Sequence, residues 1–599
     1  MTTVANQIKK PKDRDAQEQE GDGELSQSVV SADDDVTLQQ RRRFTFRLGC
    51  LDGLGPLLRL ILMQGLASLA IYSIIINVPT YGAFLSFTKV SSSQIALFLQ
   101  AILFLPGPIF GWLGDRKVSK FRMLFAGFFG ILLGLTLVTI IAGVSMAGLS
   151  HRHKIHQAVY FVGAVLVALS GAVIYVGLFP YMLEHARRLS HRVLAGFCTW
   201  AYFSYGVGTI IVSIPGGILQ MVDLFPNSSS NEATSASRHC RMGYTGFVLA
   251  YSLAILASIL ALFILFRWRK SFEKDVNTTL EYRLSLRAIL KSAFTKHPRA
   301  YYQGMYDRAP LLPFKTQVRQ SKRKMTEELQ KRLSVIVLPL MTMIIYGCVV
   351  QVTYVLYVEQ GERLNISFKH LNHNLSSCKH FNFLDLAPPI TLSAFNSLAL
   401  VLVLPIIYFF INNVFPLNHL SRIRWGMILA ALSLMCASLV EWERTRIFSR
   451  EYHKGYVVIA NTTLTFVYVN LSFLYQIPQH VLMGLSQGLV LVASVEFVLS
   501  RAPPGYRAIT LGFLNMCTGV GVVIGLCIGI ILKKLSIAYP TIPTTYQKEK
   551  TSKPYVFYLT LLYLLIFNIA FYLWVEYRHK DIQRRLPSSR RPSSERLAD

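Results

Sequence analysis

Charge is what the hydrophobic stretches of this sequence lack. Only 16% of its 599 residues are Asp, Glu, Lys or Arg, against 52% hydrophobic and 12% aromatic, with a mean hydropathy of +0.40. A water-soluble chain of this length would form several domains, and that prior yields to the apolarity. Metal-ligand spacing is missing as well. The 8 Cys include no CxxC or CxxxH pattern. The hydrophobic stretches hold no clustered His, Asp or Glu of acid–base spacing, which argues against a membrane enzyme. No cofactor is expected. No secretory signal pattern is expected ahead of the first hydrophobic run, because residues 1–56 are polar, charged and Ser/Gln-rich. They read as a disordered cytoplasmic tail.

What is present is a series of apolar stretches, each about twenty residues, the length that crosses roughly 30 Å of hydrocarbon. The predicted spans are 57–79, 93–113, 122–146, 156–183, 194–219, 243–267, 334–358, 386–411, 424–441, 471–500, 507–532 and 555–576. This is an all-α polytopic membrane protein: an N-terminal six-helix bundle at 57–267, a cytoplasmic linker at 268–333, a C-terminal six-helix bundle at 334–576 and a tail at 577–599.

The net charge of +29 would suggest nucleic acid in a soluble protein. Here Lys and Arg concentrate in loops on the side of the termini, so the excess is a topology signal that places both termini in the cytoplasm. No nucleic-acid partner is implied, while membrane lipid is. Sequons at Asn227, Asn365, Asn374 and Asn461 fall on the opposite side and are the expected glycosylation sites. Cys240 and Cys378 lie in loops, either paired or separate. Within the linker, Met325–Arg332 reads as an amphipathic helix entering the seventh span, and Lys322–Lys324 either binds anionic lipid or is simply solvated. Asp307 through Leu312 has acidic-dileucine spacing, also common by chance, which leaves plasma and endolysosomal membranes both open.

After the second span comes GWLGDRKVSKFR, Gly111–Arg122. A glycine-rich helix end, an Asp and several cations at a tight turn suit a gate latch, in which Asp115 accepts hydrogen bonds or caps a helix. The stretch resembles the loop motif of the major facilitator superfamily. Tyr475–Phe513, with Gln476-Ile477-Pro478-Gln479, Glu496-Phe497 and Ala502-Pro503, is similar to the tenth span of the proton-coupled oligopeptide transporter family. Leu420–Arg444, ending in Glu-x-x-Arg, resembles its ninth span, Ala394–Pro405 its eighth, and Gln351–Leu356 the seventh span of its peptide/histidine branch. Thr199–Gly208 is a worn version of a fifth-span segment. The resemblance implies a twelve-span major facilitator fold. It also implies a solute carrier that moves small peptides or related small solutes by alternating access.

The departures fall on the charged residues. The family's Glu-x-x-Glu-Arg of span 1 serves proton coupling and peptide carboxylate binding. It aligns with Gln64, Ala67 and Ser68. A span-4 Lys aligns with Ile174, and the span-10 Glu that meets a peptide amino group aligns with Gln487. A zwitterion in a low-dielectric cavity needs both charges compensated, and Gln neither neutralises nor titrates. Proton partnership is therefore in doubt. Candidate substrate-binding residues are Tyr72, Gln351, Tyr354, Asn396, Tyr475 and Gln487, each alternatively a helix–helix hydrogen bond. Candidate gating or coupling residues are Asp115 and Glu496, the latter equally readable as a structural acid. A transport-inactive scaffold or signalling adaptor derived from a transporter is the second functional reading.

Overall fold

In the computed structural model, residues 51–78, 89–116, 118–146, 153–186, 191–220, 244–269, 318–361, 363–364, 389–413, 418–450, 453–459, 462–502, 506–535 and 553–584 are described. The four sequons, Cys240, Cys378 and the Asp307–Leu312 segment lie outside these residues.

The N-terminal half contains α1 (Leu51–Ile75), α2 (Lys89–Phe104), α3 (Gly107–Arg116), α4 (Lys120–Met146), α5 (His153–Ala186), α6 (His191–Ser213), α7 (Pro215–Gln220) and α8 (Tyr244–Arg267). The C-terminal half contains α9 (Val318–Gly361), α10 (Pro389–Asn413), α11 (His419–Phe448), α12 (Ile477–Arg501), α13 (Arg507–Lys534) and α14 (Tyr555–Arg584). Among the described residues, 11 helices are long and apolar enough to cross a membrane, and the shorter apolar helix Ser393–Phe409 brings the set to the expected twelve. One element departs from a purely helical reading. An antiparallel hairpin, β1 (His453–Ile459) with β2 (Thr462–Tyr468), pairs His453 with Tyr468 between α11 and α12. Its strands are rich in Val, Thr and Tyr, residues that favour strands.

Breaks follow Pro and Gly. The second span splits into α2 and α3 at Leu105–Pro106, and the fifth into α6 and α7 before Pro215, because Pro removes a helical hydrogen bond and clashes with the preceding turn. Pro405 stays inside α10. The seventh span begins earlier than its hydropathy suggests, since α9 is continuous from Val318 through the Met325–Arg332 segment.

Small residues set how closely the helices approach, as in membrane bundles generally. A side-chain carbon at Gly65 of α1 would lie 2.5 Å from the Ser204 hydroxyl of α6. On α13, Gly519 meets Leu105 next to α2, while Gly521 and Gly525 meet Ile344, Cys348 and Val352 of α9. These contacts bring α1, α6, α9 and α13 around one centre.

Candidate functional site

A cavity lies at that centre, lined from the N-terminal half by Gln64 and Tyr72 (α1), Phe104 (α2), Tyr175 and Phe179 (α5), and Tyr202 and Tyr205 (α6). The C-terminal half contributes Met343, Tyr346 and Gln351 (α9), Ser494 (α12), and Asn515 and Thr518 (α13), among others. The volume open to the centres of water molecules is about 90 Å³. A water takes about 30 Å³ in the liquid, so this is room for a few waters or one small solute. No carboxylate, amine or guanidinium occurs among the described lining residues.

Tyrosines dominate its walls. Tyr72 meets Tyr205 edge-on at 5.6 Å between ring centroids and Tyr354 at 5.9 Å. Phe179 and Tyr202 stand 5.2 Å apart. Tyr354 interacts through its hydroxyl with Asn396, Ser397 and Tyr205, and Tyr346 shares a 2.9 Å hydrogen bond with Ser486. The amide atoms Gln64 Oε1, Gln351 Oε1 and Asn515 Nδ2 have no protein hydrogen-bond partner.

Of the residues singled out in the sequence, Tyr72 and Gln351 line the cavity, while Tyr354 packs on Tyr72 and bonds Asn396 without lining it; Gln64, Tyr175, Tyr202, Tyr205 and Asn515 also line it. Tyr202 and Tyr205 sit inside the worn fifth-span segment, where tyrosines at i and i+3 fall on one helix face. Gln487 is buried on α12 with an unpaired amide nitrogen, but it is not among the lining residues. Tyr475 is set apart from the cavity: it is 61% exposed on the 3-10 turn Phe473–Gln476 ahead of α12. That turn ends the extended approach to the helix and points the ring outward.

Of the positions that depart from the family pattern, Gln64 lines the cavity, whereas Ala67, Ser68 and Ile174 are packed between helices. The Ser68 hydroxyl donates to the carbonyls of Gly65 (2.8 Å) and Tyr205 (3.0 Å), at the closest approach of α1 and α6. Ala67 is fully buried. Ile174 packs on Gly127 of α4, and its neighbour Tyr175 faces the cavity.

The halves touch at both ends of the cavity. At one end Asp115, the last turn of α3, accepts the Ile509 backbone N–H at 2.9 Å and also bonds the Ala508 backbone. These amides open α13, whose own N-cap residue, Tyr506, makes no side-chain cap. An acidic side chain from one half therefore caps a helix of the other, satisfying orphan amides at its positive end. A side-chain carbon at Gly111 would lie 2.5 Å from the Ala508 carbonyl, so only glycine permits this contact. At the opposite end Ser93 of α2 donates to Glu359 of α9. Ser213 pairs with Ser393 at 2.8 Å, and Thr209 donates to Ser397 at 2.9 Å, joining α6 to α10.

Glu496 belongs to neither contact. It forms an ion pair with Arg422 of α11, and His419 lies 3.3 Å away. Its carboxylate ties α12 to α11 through this pair. A second buried polar network, missed from the sequence, joins α9, α11 and α12. Gln360 donates to Glu441 at 3.1 Å, Arg444 Nε donates to the same carboxylate at 3.0 Å, and Gln476 and Gln479 both donate to Gln360 Oε1. The Glu-x-x-Arg and Gln-Ile-Pro-Gln motifs are two sides of one internal clasp.

Comparison with known proteins fits this arrangement. A family pattern described as PTR2, POT family, matches residues 121–545. The probable peptide transporter ptr2 of Schizosaccharomyces pombe is 28% identical over 140 residues, 22% of this chain, and the match spans only 21% of that relative. Protein NRT1/PTR family 5.12 of Arabidopsis thaliana is 23% identical over 472 residues, covering 72% of this chain and 75% of its own. Among solved structures, the POT family transporter PepTSo superposes with a TM-score of 0.56 at 14% identity, covering 88% of this chain and 98% of its own. A POT family transporter in complex with 5-aminolevulinic acid gives 0.55 at 12%, covering 89% and 96%. At these identities the structural likeness speaks for the fold.

Proposed function

The chain belongs to the POT family, and on that premise we propose that it is a solute carrier whose bundles, 57–267 and 334–576, rock about the central cavity to expose it alternately to each side. One observation carries this reading: a cavity lined by both halves, with half-to-half contacts at each of its ends. Alternating access needs two gates that open in turn around a fixed site. The Asp115–α13 cap and the Ser213–Ser393 and Ser93–Glu359 contacts are suited to be those gates.

The cargo is a small peptide or related small solute. Its movement is not tied to protons through the family's usual positions, because Gln64, Ala67, Ser68 and Gln487 offer no group that titrates. Both termini are cytoplasmic, in a plasma or endolysosomal membrane. Support comes from Arg59, Arg122, Arg267, Arg422, Arg424 and Arg578, which all lie near helix ends at the Asp115 end of the bundle. Tyr72, Gln351, Tyr354 and Asn396 contact cargo directly or through one tyrosine hydroxyl.

Counterflow into proteoliposomes, with a labelled panel of dipeptides, tripeptides, amino acids and metabolites, tests the carrier reading. Saturable exchange of the same size with and without a pH gradient is expected. An absence of exchange across the whole panel sinks the reading and favours the adaptor alternative.

A further inference from the structure

We propose that the cavity selects an uncharged solute of the cyclic-amide class and rejects zwitterionic peptides. The inference rests on the carrier reading of the same cavity. Three amide atoms at one cavity, Gln64 Oε1, Gln351 Oε1 and Asn515 Nδ2, have no protein partner. Buried polar atoms left unpaired are unfavourable, so a cluster of them around one space marks where a ligand or water makes the missing bonds. Two are acceptors and one is a donor. Rotating any of these amides exchanges its N and O, so the lining remains a neutral set of mixed donors and acceptors.

The class of cargo follows from what would satisfy that set. A cyclic amide carries N–H and C=O side by side on each edge, donating to carbonyl oxygens and accepting from an amide N–H. Its flat ring suits a space walled by Tyr72, Tyr202 and Tyr205. A quaternary ammonium would be attracted by the same rings, but it has no N–H to donate and would leave Gln64 and Gln351 unpaired. A zwitterion would bring two charges into a cavity without a compensating charge among its described lining residues, which is the costliest fit of the three. The space of about 90 Å³ accommodates a single small ring.

Linear and cyclic diglycine differ by one water and two terminal charges, and they make the test. Thermal stabilisation of the purified full-length protein reports binding, and proteoliposome counterflow reports transport, with choline as the cationic probe. Cyclic diglycine should bind at least tenfold more tightly than the linear form and should exchange. Gln351→Leu should abolish that preference, and the isosteric Gln64→Glu should weaken cyclic diglycine and strengthen choline. Preference for linear diglycine or choline in the unaltered protein overturns the inference and leaves a carrier. Binding of cyclic diglycine without its exchange keeps the inference about the cavity, and the carrier reading then falls only if the whole counterflow panel is silent as well. No binding of the cyclic form overturns the inference, whatever the counterflow panel shows for other solutes.

Discussion

At the scale of single residues, the site turns on which polar groups are paired. Glu496 stood out in the sequence as an acid within a predicted span, and its role depended on a partner that hydropathy could not reveal. Arg422 lies just before the predicted span 424–441, whereas α11 starts at His419 and buries it. Apolar scanning places span ends where charge begins, so a buried cation at a helix end is counted as loop. The same effect left Glu359 and Arg444 outside the predicted spans 334–358 and 424–441, although the Glu441-x-x-Arg444 motif itself was legible. Removing one member of a buried pair leaves a charge uncompensated, and replacing both restores balance. Arg422→Leu should therefore destabilise the protein by about 3–5 kcal/mol, whereas Arg422→Leu with Glu496→Leu should recover most of that loss. Thermal unfolding in detergent would show it. A double variant as unstable as the single one would mean that the pair is not what holds α11 to α12. Ser68 makes the complementary point. Arg at this position would match the family pattern, but Ser68 is fully buried against Gly208 and the Tyr205 carbonyl. Ser68→Arg should force α1 from α6, since overpacking costs about 1–3 kcal/mol before the buried charge is counted, and it should lower the melting temperature sharply.

At the scale of elements, the breaks were legible because Pro and Gly act locally. Pro106 ends α2, Pro215 starts α7, and the Gly519–Gly525 face of α13 packs against Leu105 and α9. The hairpin escaped because its residues sit in a loop too short of hydrophobicity to register as a span. Asp115 was legible as a cap, but not whose helix it caps: that partner is 394 positions away in sequence. Losing an N-cap carboxylate costs about 0.5–2 kcal/mol, a size that moves a two-state gate several-fold without unfolding the bundle. Asp115→Ala should raise the reactivity of a single cysteine introduced at Asn515 toward a membrane-impermeant thiol reagent added from the Asp115 end. Asp115→Asn, which keeps an acceptor, should have a smaller effect. Equal reactivity in all three proteins would show that the cap does not govern this gate. Gly111→Leu should open the same end more strongly, because the added side chain meets backbone that has no room to give.

At the scale of the whole molecule, the twelve-span plan needed only length, hydropathy and charge placement. The meeting of the halves needed coordinates, because each gate pairs residues distant in sequence through small hydroxyls and glycines that carry no periodic signal. Those contacts also permit a test of alternating access that does not depend on knowing the cargo. Ser213 on α6 and Ser393 on α10 approach to 2.8 Å between hydroxyl oxygens, and replacing both by cysteine puts two thiols where a disulfide needs its β-carbons about 3.5–4.5 Å apart. Oxidation of Ser213→Cys with Ser393→Cys should lock the end opposite Asp115 and abolish exchange, and a reductant should restore it. Either substitution alone should remain active through the same treatment. With that end locked, the other gate should still move, so a cysteine at Asn515 should stay reactive from the Asp115 end in the Asp115→Ala background. Full exchange in the oxidised double variant would mean that cargo passes without parting α6 from α10, and the rocking of two bundles would have to be abandoned.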